Sequence, residues 1–107
     1  PKDGPSAGVA ICTAIISKLC NIKIKNNVAM TGEISLREGG KVLKIGGLNA
    51  KLNGAKKAGV KLVIIPEENR DDYEKIDKID GLEIILVSHL KDVLKNSLEE
   101  NKINFIF

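Results

Sequence analysis

The sequence predicts an α/β fold (mixed α+β), with parallel strand pairing in its second half. Two apolar runs, "VKLVIIP" (60–66) and "LEIILV" (82–87), are typical of strands that are covered on both faces. Helical patterns stand between and after these runs, and such alternation favours parallel strands with helices packed on the sheet. A chain of 107 residues is long enough for one core, so residues 1–107 are expected to form a single domain.

The first half predicts one helix and a hairpin. Residues 6–20 ("SAGVAICTAIISKLC") form a helix that is apolar almost all round, which predicts deep burial. After a polar linker, "VAMTGEISL" (28–36) indicates a strand because of its β-branched residues. "KVLKI" (41–45) is predicted to pair with it across a glycine-containing turn.

The second half adds three helices. Residues 48–58 predict a helix that ends near Gly59. "EENRDDYEKI" (67–76) predicts a charged helix with acids in its first turn, and "SHLKDVLKNSLEE" (88–100) an amphipathic helix capped by Ser88. The predicted order is therefore helix, strand, strand in a hairpin, helix, strand, helix, strand, helix.

The composition argues against nucleic acid and membrane as partners. The net charge of +3 is carried almost wholly by lysine, and aromatic residues make up only 3% of the chain. Nucleic-acid readers concentrate arginine and stacking aromatic groups instead. No stretch approaches the roughly 20 apolar residues of a membrane span.

The two cysteines and the one histidine suggest no metal or disulfide site. On one helix Cys12 and Cys20 would lie about 12 Å apart, since each residue rises about 1.5 Å. This is too far for a disulfide, so both are expected to be small core residues of a reducing compartment. With His89 as the only histidine, a zinc site has too few ligands, and His89 is expected at the surface.

A lysine stands on the apolar side of the helix over residues 48–58. At 100° per residue, Leu48, Leu52 and Ala55 form an apolar stripe, and Lys51 lies on the same side. One interpretation is that the lysine stem runs along the core while the ammonium reaches water. The other is a desolvated, neutral lysine, as a lysine general base requires.

Ser6 also has two interpretations. Serine is a favoured helix N-cap, and Ser6 follows a proline at a predicted helix start. A helix N-terminus also presents unpaired N–H groups that could hold an oxyanion, and Gly4 and Gly8 would let a substrate backbone approach. A serine at this place beside a neutral lysine would be a Ser–Lys dyad.

Several separated motifs stand in order along the chain: "DGPSAGVAI" (3–11), "VAMTGEISLR" (28–37), "IGGLNAKL" (45–52), "AGVKLVIIP" (58–66) and "EN" (68–69). Together they resemble one family, the Lon proteases, which are ATP-dependent Ser–Lys peptidases. The resemblance extends to about residue 95.

This resemblance implies that Ser6 is the nucleophile and Lys51 the general base of a serine endopeptidase. Three departures from the usual pattern bear on that assignment. The stretch "REGGKVLKIGG" (37–47) is two residues longer than usual, Lys44 replaces a common proline, and "NAK" (49–51) replaces the frequent "KEK". Lys51 alone keeps the family spacing to the two glycines, and it alone lies on the apolar side.

The resemblance also implies supporting residues around the dyad. Thr31 would hydrogen-bond to the lysine amine, and Asp3 could pair with the lysine in an inactive conformer. Backbone N–H groups around Ser6, with Ala7 as the supporting residue, would hold the oxyanion. Glu33 matches a family position near the site and has no assigned role.

For the whole protein, the resemblance implies parts that lie outside these residues. Upstream strands of the Lon proteolytic-domain fold are expected before Pro1. Residues 1–107 contain no P-loop pattern and are expected to hold no cofactor or metal, so ATP and magnesium are expected on a separate ATPase module. The implied partners are unfolded, damaged or regulatory proteins and further copies of the chain in a hexameric ring. The implied location is the cytoplasm, with the mitochondrial matrix as the alternative.

Two other hypotheses stay open. One is a non-catalytic Lon-like scaffold, a ring-forming module of a DNA-repair ATPase, although such scaffolds lack the serine. The other is a piece that belongs to the family but is weakly active or inactive by itself.

Overall fold

The computed structural model describes residues 8–99, and it confirms the mixed α/β fold class. The elements are, in chain order, α1 (Gly8–Cys20), β1 (Val28–Met30), β2 (Glu33–Ser35), β3 (Lys41–Leu43), α2 (Leu48–Lys57), β4 (Leu62–Pro66), a 3-10 turn (Glu67–Asn69), α3 (Arg70–Glu74), β5 (Glu83–Val87) and α4 (Leu90–Ser97).

A three-stranded parallel sheet forms the centre, as the two apolar runs predict. Its strand order is β1-β4-β5, so β4 bonds to a neighbour on each side. Side chains alternate across β4, and the two faces of the sheet therefore carry separate cores. Val63 and Ile65 pack against Leu48 and Leu52 of α2, whereas Ile64 packs in the cluster that contains Val9 of α1 and Val93 of α4.

The predicted single strand over residues 28–36 is wrong, because the chain changes sheets in its middle. β1 belongs to the parallel sheet, whereas β2 pairs antiparallel with β3 in a separate two-stranded sheet. Gly32 makes the change at a φ of 152°, where L-residues are rare. A Cβ there would lie 2.9 Å from Cγ1 of Val42, so the tertiary contact as well as the backbone requires glycine.

Deep burial of the first helix is also wrong. Val9 and Thr13 are the buried residues of α1, which packs against α4 and β2 on one side. Ile11, Ile15 and Leu19 recur every four residues on the opposite side, with exposed fractions of 55%, 53% and 79%. A helix that is apolar all round is buried only where other elements pack on every side of it. Within residues 8–99, other elements pack on one side of α1 only.

The exposure of the two cysteines follows from the position of α1. Both are free thiols, as their spacing predicts. Cys12 is half-buried, but Cys20 is exposed in the last turn, so the prediction that both are core residues is wrong for Cys20.

Two helix boundaries in the second half differ from the prediction. The charged segment 67–76 divides into a 3-10 turn and the five-residue α3. The N-cap of α4 is His89 rather than Ser88, and its Nδ1 accepts a hydrogen bond of 3.0 Å from the N–H of Lys91. Ser88 directly follows β5, and its carbonyl accepts a 2.9 Å hydrogen bond from the N–H of Val42 in β3.

Candidate active site

Helix α2 carries Lys51 one turn from its start. Leu48 and Leu52 are buried against the sheet, at 4% and 1% exposure, and they set the rotation of the helix. Lys51 lies between them along the chain and is half-buried. Its backbone N–H donates to the carbonyl of Gly47 at 3.1 Å, which closes the first helical turn.

The Lys51 side chain lines an open cavity of about 300 Å³. The lining residues are small or apolar except for one threonine and the lysine: Ala10, Ala29, Met30, Thr31, Lys51, Ala55 and Val63. They come from three elements that stand apart in the chain, α1, α2 and the parallel sheet, with Thr31 at the end of β1. Lys51 is the one titratable group among these lining residues.

Thr31 reaches the cavity because it continues the parallel ladder beyond β1. Its N–H donates to the carbonyl of Ile64 at 3.0 Å, and the residue is 8% exposed. The turn at Gly32 follows at once, so Thr31 stands where the chain leaves the sheet. The structure therefore brings together two of the residues that the sequence singles out, Thr31 and Lys51.

The start of α1 is tied to the same turn. Val9 donates its N–H to the carbonyl of Gly32 at 3.0 Å. A Cβ on Gly8 would lie 3.1 Å from the backbone N of Ile34, so only glycine allows this close approach without a shift. These contacts fix the first described turn of α1, including Ala10, against the residues that carry Thr31.

The family is evident from comparison with known proteins. A model of the Lon protease (S16) C-terminal proteolytic domain matches residues 1–100. The chain belongs to this family. The resemblance drawn from the sequence motifs is thereby confirmed.

Individual Lon proteases are similar over most of this chain. The Lon protease of Buchnera aphidicola subsp. Acyrthosiphon pisum is 55% identical over 102 residues, which is 94% of this chain and 13% of the relative. That of Trichlorobacter lovleyi is 55% identical over 102 residues, 94% of this chain and 12% of the relative. The Lon protease of Rickettsia felis is 52% identical over 106 residues, which is 97% of this chain and 13% of the relative. The chain spans about one eighth of the length of these relatives.

Of the other predicted site residues of this Lon-family chain, only Glu33 belongs to the part that the structure describes. Asp3, Ser6 and Ala7 lie outside the described residues. Glu33 is exposed on β2, where it stands opposite Leu43 in the hairpin, and it is not among the lining residues.

The side chains of the motif "EN", Glu68 and Asn69, hydrogen-bond to the loop that leads into α2, and we call these contacts the loop clamp. The side chain of Asn69 is fully buried and bonds to both the N–H and the carbonyl of Ile45, at 3.0 and 2.9 Å. Glu68 accepts a 2.9 Å bond from the backbone N–H of Lys44. That bond, followed by the one from the side chain of Lys41, lowers the pKa of the Glu68 carboxyl below its ordinary value of 4.5.

Sequence reasoning assigned no role to either residue of that motif. An uncharged asparagine three residues after a buried strand, in a segment otherwise charged, is the signal that could have found Asn69, because a buried amide needs partners. Those partners lie 24 residues away, which local patterns cannot indicate.

Residues 8–99 hold no group of three or more His, Cys, Asp or Glu side chains that could bind a metal ion. Within these residues, each helix is too short or too polar to cross a membrane.

Proposed function

We propose that residues 1–107 carry the Ser–Lys dyad of a Lon-type serine endopeptidase, with Ser6 as the nucleophile and Lys51 as the general base. The single observation that carries the proposal is that Ala10, Thr31 and Lys51 line one cavity. Ser6 precedes Ala10 by four residues, which is one helical turn, and residues four apart share a helix face. A helix that starts at Ser6, as the sequence predicts, would direct the serine to the side of α1 that meets Lys51.

Connectivity supports the same pairing. Two peptide units join Ser6 to Gly8, so their Cα atoms can lie no more than about 7.6 Å apart. Gly8 itself is held against the backbone of Gly32 and Ile34. Chain connectivity thus supports a nucleophile near the turn that follows Thr31.

The chemistry of the dyad is the acyl transfer of a serine peptidase. Ser6 Oγ attacks the carbonyl carbon of the scissile peptide while its proton passes to the neutral amine of Lys51. Backbone N–H groups around Ser6 and Ala7 stabilise the oxyanion. When the C–N bond breaks, Lys51 returns the proton to the leaving amine. A water molecule, deprotonated by Lys51, then cleaves the ester and restores Ser6.

The surroundings of Lys51 suit this role. A general base has to be neutral before it accepts a proton, and the residues that line the cavity with Lys51 include no second titratable group. Thr31 lines the same cavity, and a hydrogen bond with its hydroxyl would orient the amine.

For the whole protein we propose the organisation that the family resemblance implies. A separate ATPase module would bind ATP and magnesium and deliver unfolded, damaged or regulatory proteins to this peptidase. The protein would assemble as a hexameric ring in the cytoplasm, or in the mitochondrial matrix as the alternative. Asp3 would pair with Lys51 in an inactive conformer.

The test is hydrolysis of an unstructured peptide by the protein at its full natural length. Ser6→Ala and Lys51→Arg should be inactive, because alanine has no nucleophile and guanidinium stays protonated. Lys51→Met should lose about 10²–10⁴-fold in turnover, the usual contribution of a general base. Lys57→Met, an exposed lysine on the same helix, is the matched control and should keep full activity.

The outcomes separate the dyad from its alternatives. Normal turnover by Lys51→Met would show that Ser6 draws its base from elsewhere. Absence of turnover in the unmodified protein, with no labelling of Ser6 by a fluorophosphonate, would favour the non-catalytic scaffold.

A further inference from the structure

The carboxamide of Asn69 makes three hydrogen bonds, and two of them join the segment after β4 to the loop before α2. Its Oδ1 accepts from the N–H of Ile45 at 3.0 Å, and its Nδ2 donates to the carbonyl of Ile45 at 2.9 Å. Nδ2 also donates to Oδ2 of Asp72 at 2.9 Å. Asn69 is fully buried, so water cannot replace these bonds cheaply.

These bonds replace a missing strand neighbour. β3 ends at Leu43, and Ile45 is only 7% exposed, so its N–H and carbonyl need partners inside the protein. Asparagine has both a donor and an acceptor at its end and satisfies the two groups at once. Ile45 is therefore held in one place relative to the end of β4.

The position of Ile45 decides where α2 begins. Two glycines separate Ile45 from the first residue of the helix, and Gly47 stands at a φ of 67° with no side chain cap for α2. Glycine by itself leaves the backbone free, so the direction of the helix start depends on what holds the residue before the pair. Lys51 follows within one turn, bonded to the carbonyl of Gly47.

We propose that Asn69 is a positioning residue for Lys51: by clamping Ile45 to the end of β4, it fixes the first turn of α2 and hence the amine relative to the cavity. This inference rests on the proposed dyad. Val63 of β4 lines the cavity with Lys51, so the strand that bears the clamp also forms a wall of the site. Displacement of a reacting group by about 1 Å can cost about 10²-fold in rate.

The other end of α2 offers a matched control. Lys56 Nζ donates to the carbonyl of Asp80 at 2.6 Å, which attaches the last turn of the helix to the loop before β5. Lys56 is exposed and lies beyond Lys51 along the helix, so this bond contributes to stability without setting the start of α2. Lys56→Gln should weaken that attachment and leave the chemistry unchanged.

The experiment compares kcat, KM and melting temperature for the protein at its full natural length, with an unstructured peptide as substrate. Asn69→Ala should lower kcat by about 10²-fold with little change in KM, measured at a temperature where each variant is folded. Lys56→Gln should keep kcat even where its melting temperature falls as far. A merely structural role for Asn69 would lower the folded fraction and would leave the kcat of the folded protein intact.

An isosteric pair of variants decides the matter where Asn69→Ala does not fold. The exchange Asn69→Asp with Asp72→Asn keeps the summed charge and the size and retains the acceptor for the Ile45 N–H, but it sets a carboxylate oxygen against the Ile45 carbonyl in place of the donor. It should lower kcat, whereas Asp72→Asn alone should not.

Failure of the inference can be told from failure of the dyad. An unchanged kcat in the folded Asn69 variants, or an equal loss in Lys56→Gln, overturns the positioning role while Lys51→Met still shows its loss of turnover. Full activity in Lys51→Met overturns the dyad itself.

Discussion

Replacing Gly32 by alanine should destabilise the fold at the turn that joins its two sheets. The new Cβ would lie 2.9 Å from Cγ1 of Val42 and 3.2 Å from Cγ1 of Val9. Both valines are buried, at 1% and 0% exposure, and have no room to retreat. The backbone φ of 152° adds a strain that glycine avoids.

The magnitude follows from these two effects. A non-glycine residue in such a backbone region costs about 1–3 kcal/mol. An extra carbon in a well-packed core costs about 1–3 kcal/mol more. The sum, about 2–6 kcal/mol, is a large part of the 5–15 kcal/mol or so by which a typical domain is stable. Gly32 also accepts the N–H of Val9 and follows Thr31, so turnover should fall as well.

Calorimetry of the protein measures the loss of stability, and two further variants separate the backbone cost from the cost of the contact with Val42. Each kcal/mol lowers the melting temperature of a small domain by about 4–8 °C, so Gly32→Ala should lower it by at least about 8 °C. Gly39→Ala has a φ of 69° and nothing within 4 Å, so it should show a backbone cost alone, and a smaller one, because L-residues reach this left-handed region more readily than a φ of 152°. In a Val42→Ala background, Gly32→Ala should cost less, because the atom it meets is gone.

Two results would refute this reasoning. In one, Gly32→Ala costs no more than Gly39→Ala, so that the contact with Val42 is without consequence. In the other, the cost is the same in the Val42→Ala background, so that the strain lies elsewhere.

Two further predictions concern the core and the loop clamp. Leu52→Ala should cost about 2–5 kcal/mol in the free energy of unfolding, because Leu52 lies on the buried side of α2 and is 1% exposed. Leu36→Ala is the control and should cost almost nothing, because Leu36 is 82% exposed. Denaturant unfolding measures both. Glu68→Gln should destabilise the protein above pH 4.5 and progressively less below it. The lowered pKa of the Glu68 carboxyl contributes stability that is lost as the pH falls through the pKa of the folded state. A difference in melting temperature between the two proteins that persists in acid would contradict this.

Elements with a strong local pattern could be predicted from the sequence. The runs that form β4 and β5 and the apolar stripe of Leu48 and Leu52 in α2 depend on neighbours a few residues apart, which a pattern records. The family, too, was evident from short motifs in order.

What could not be predicted depends on contacts between distant residues. The break at Gly32 arises because α1 and β3 press Val9 and Val42 against that turn, and nothing in "MTGE" itself indicates a change of sheet. The side of α1 that stays exposed, and the pairing of Asn69 with Ile45, likewise depend on which elements meet in three dimensions. The shared cavity of Thr31 and Lys51 is of the same kind, since helix spacing predicts a face but not its neighbour.

The central place of β4 also sets the order of events during synthesis. Within residues 8–99, β1 gains its parallel neighbour only when β4 leaves the ribosome, since Val28 pairs with Leu62 and Met30 with Ile64. At about 5–20 residues per second, the nascent chain spends several seconds with β1 unpaired. Because α4 follows β4 in the chain, the side of α1 that packs against α4 stays uncovered for longer still.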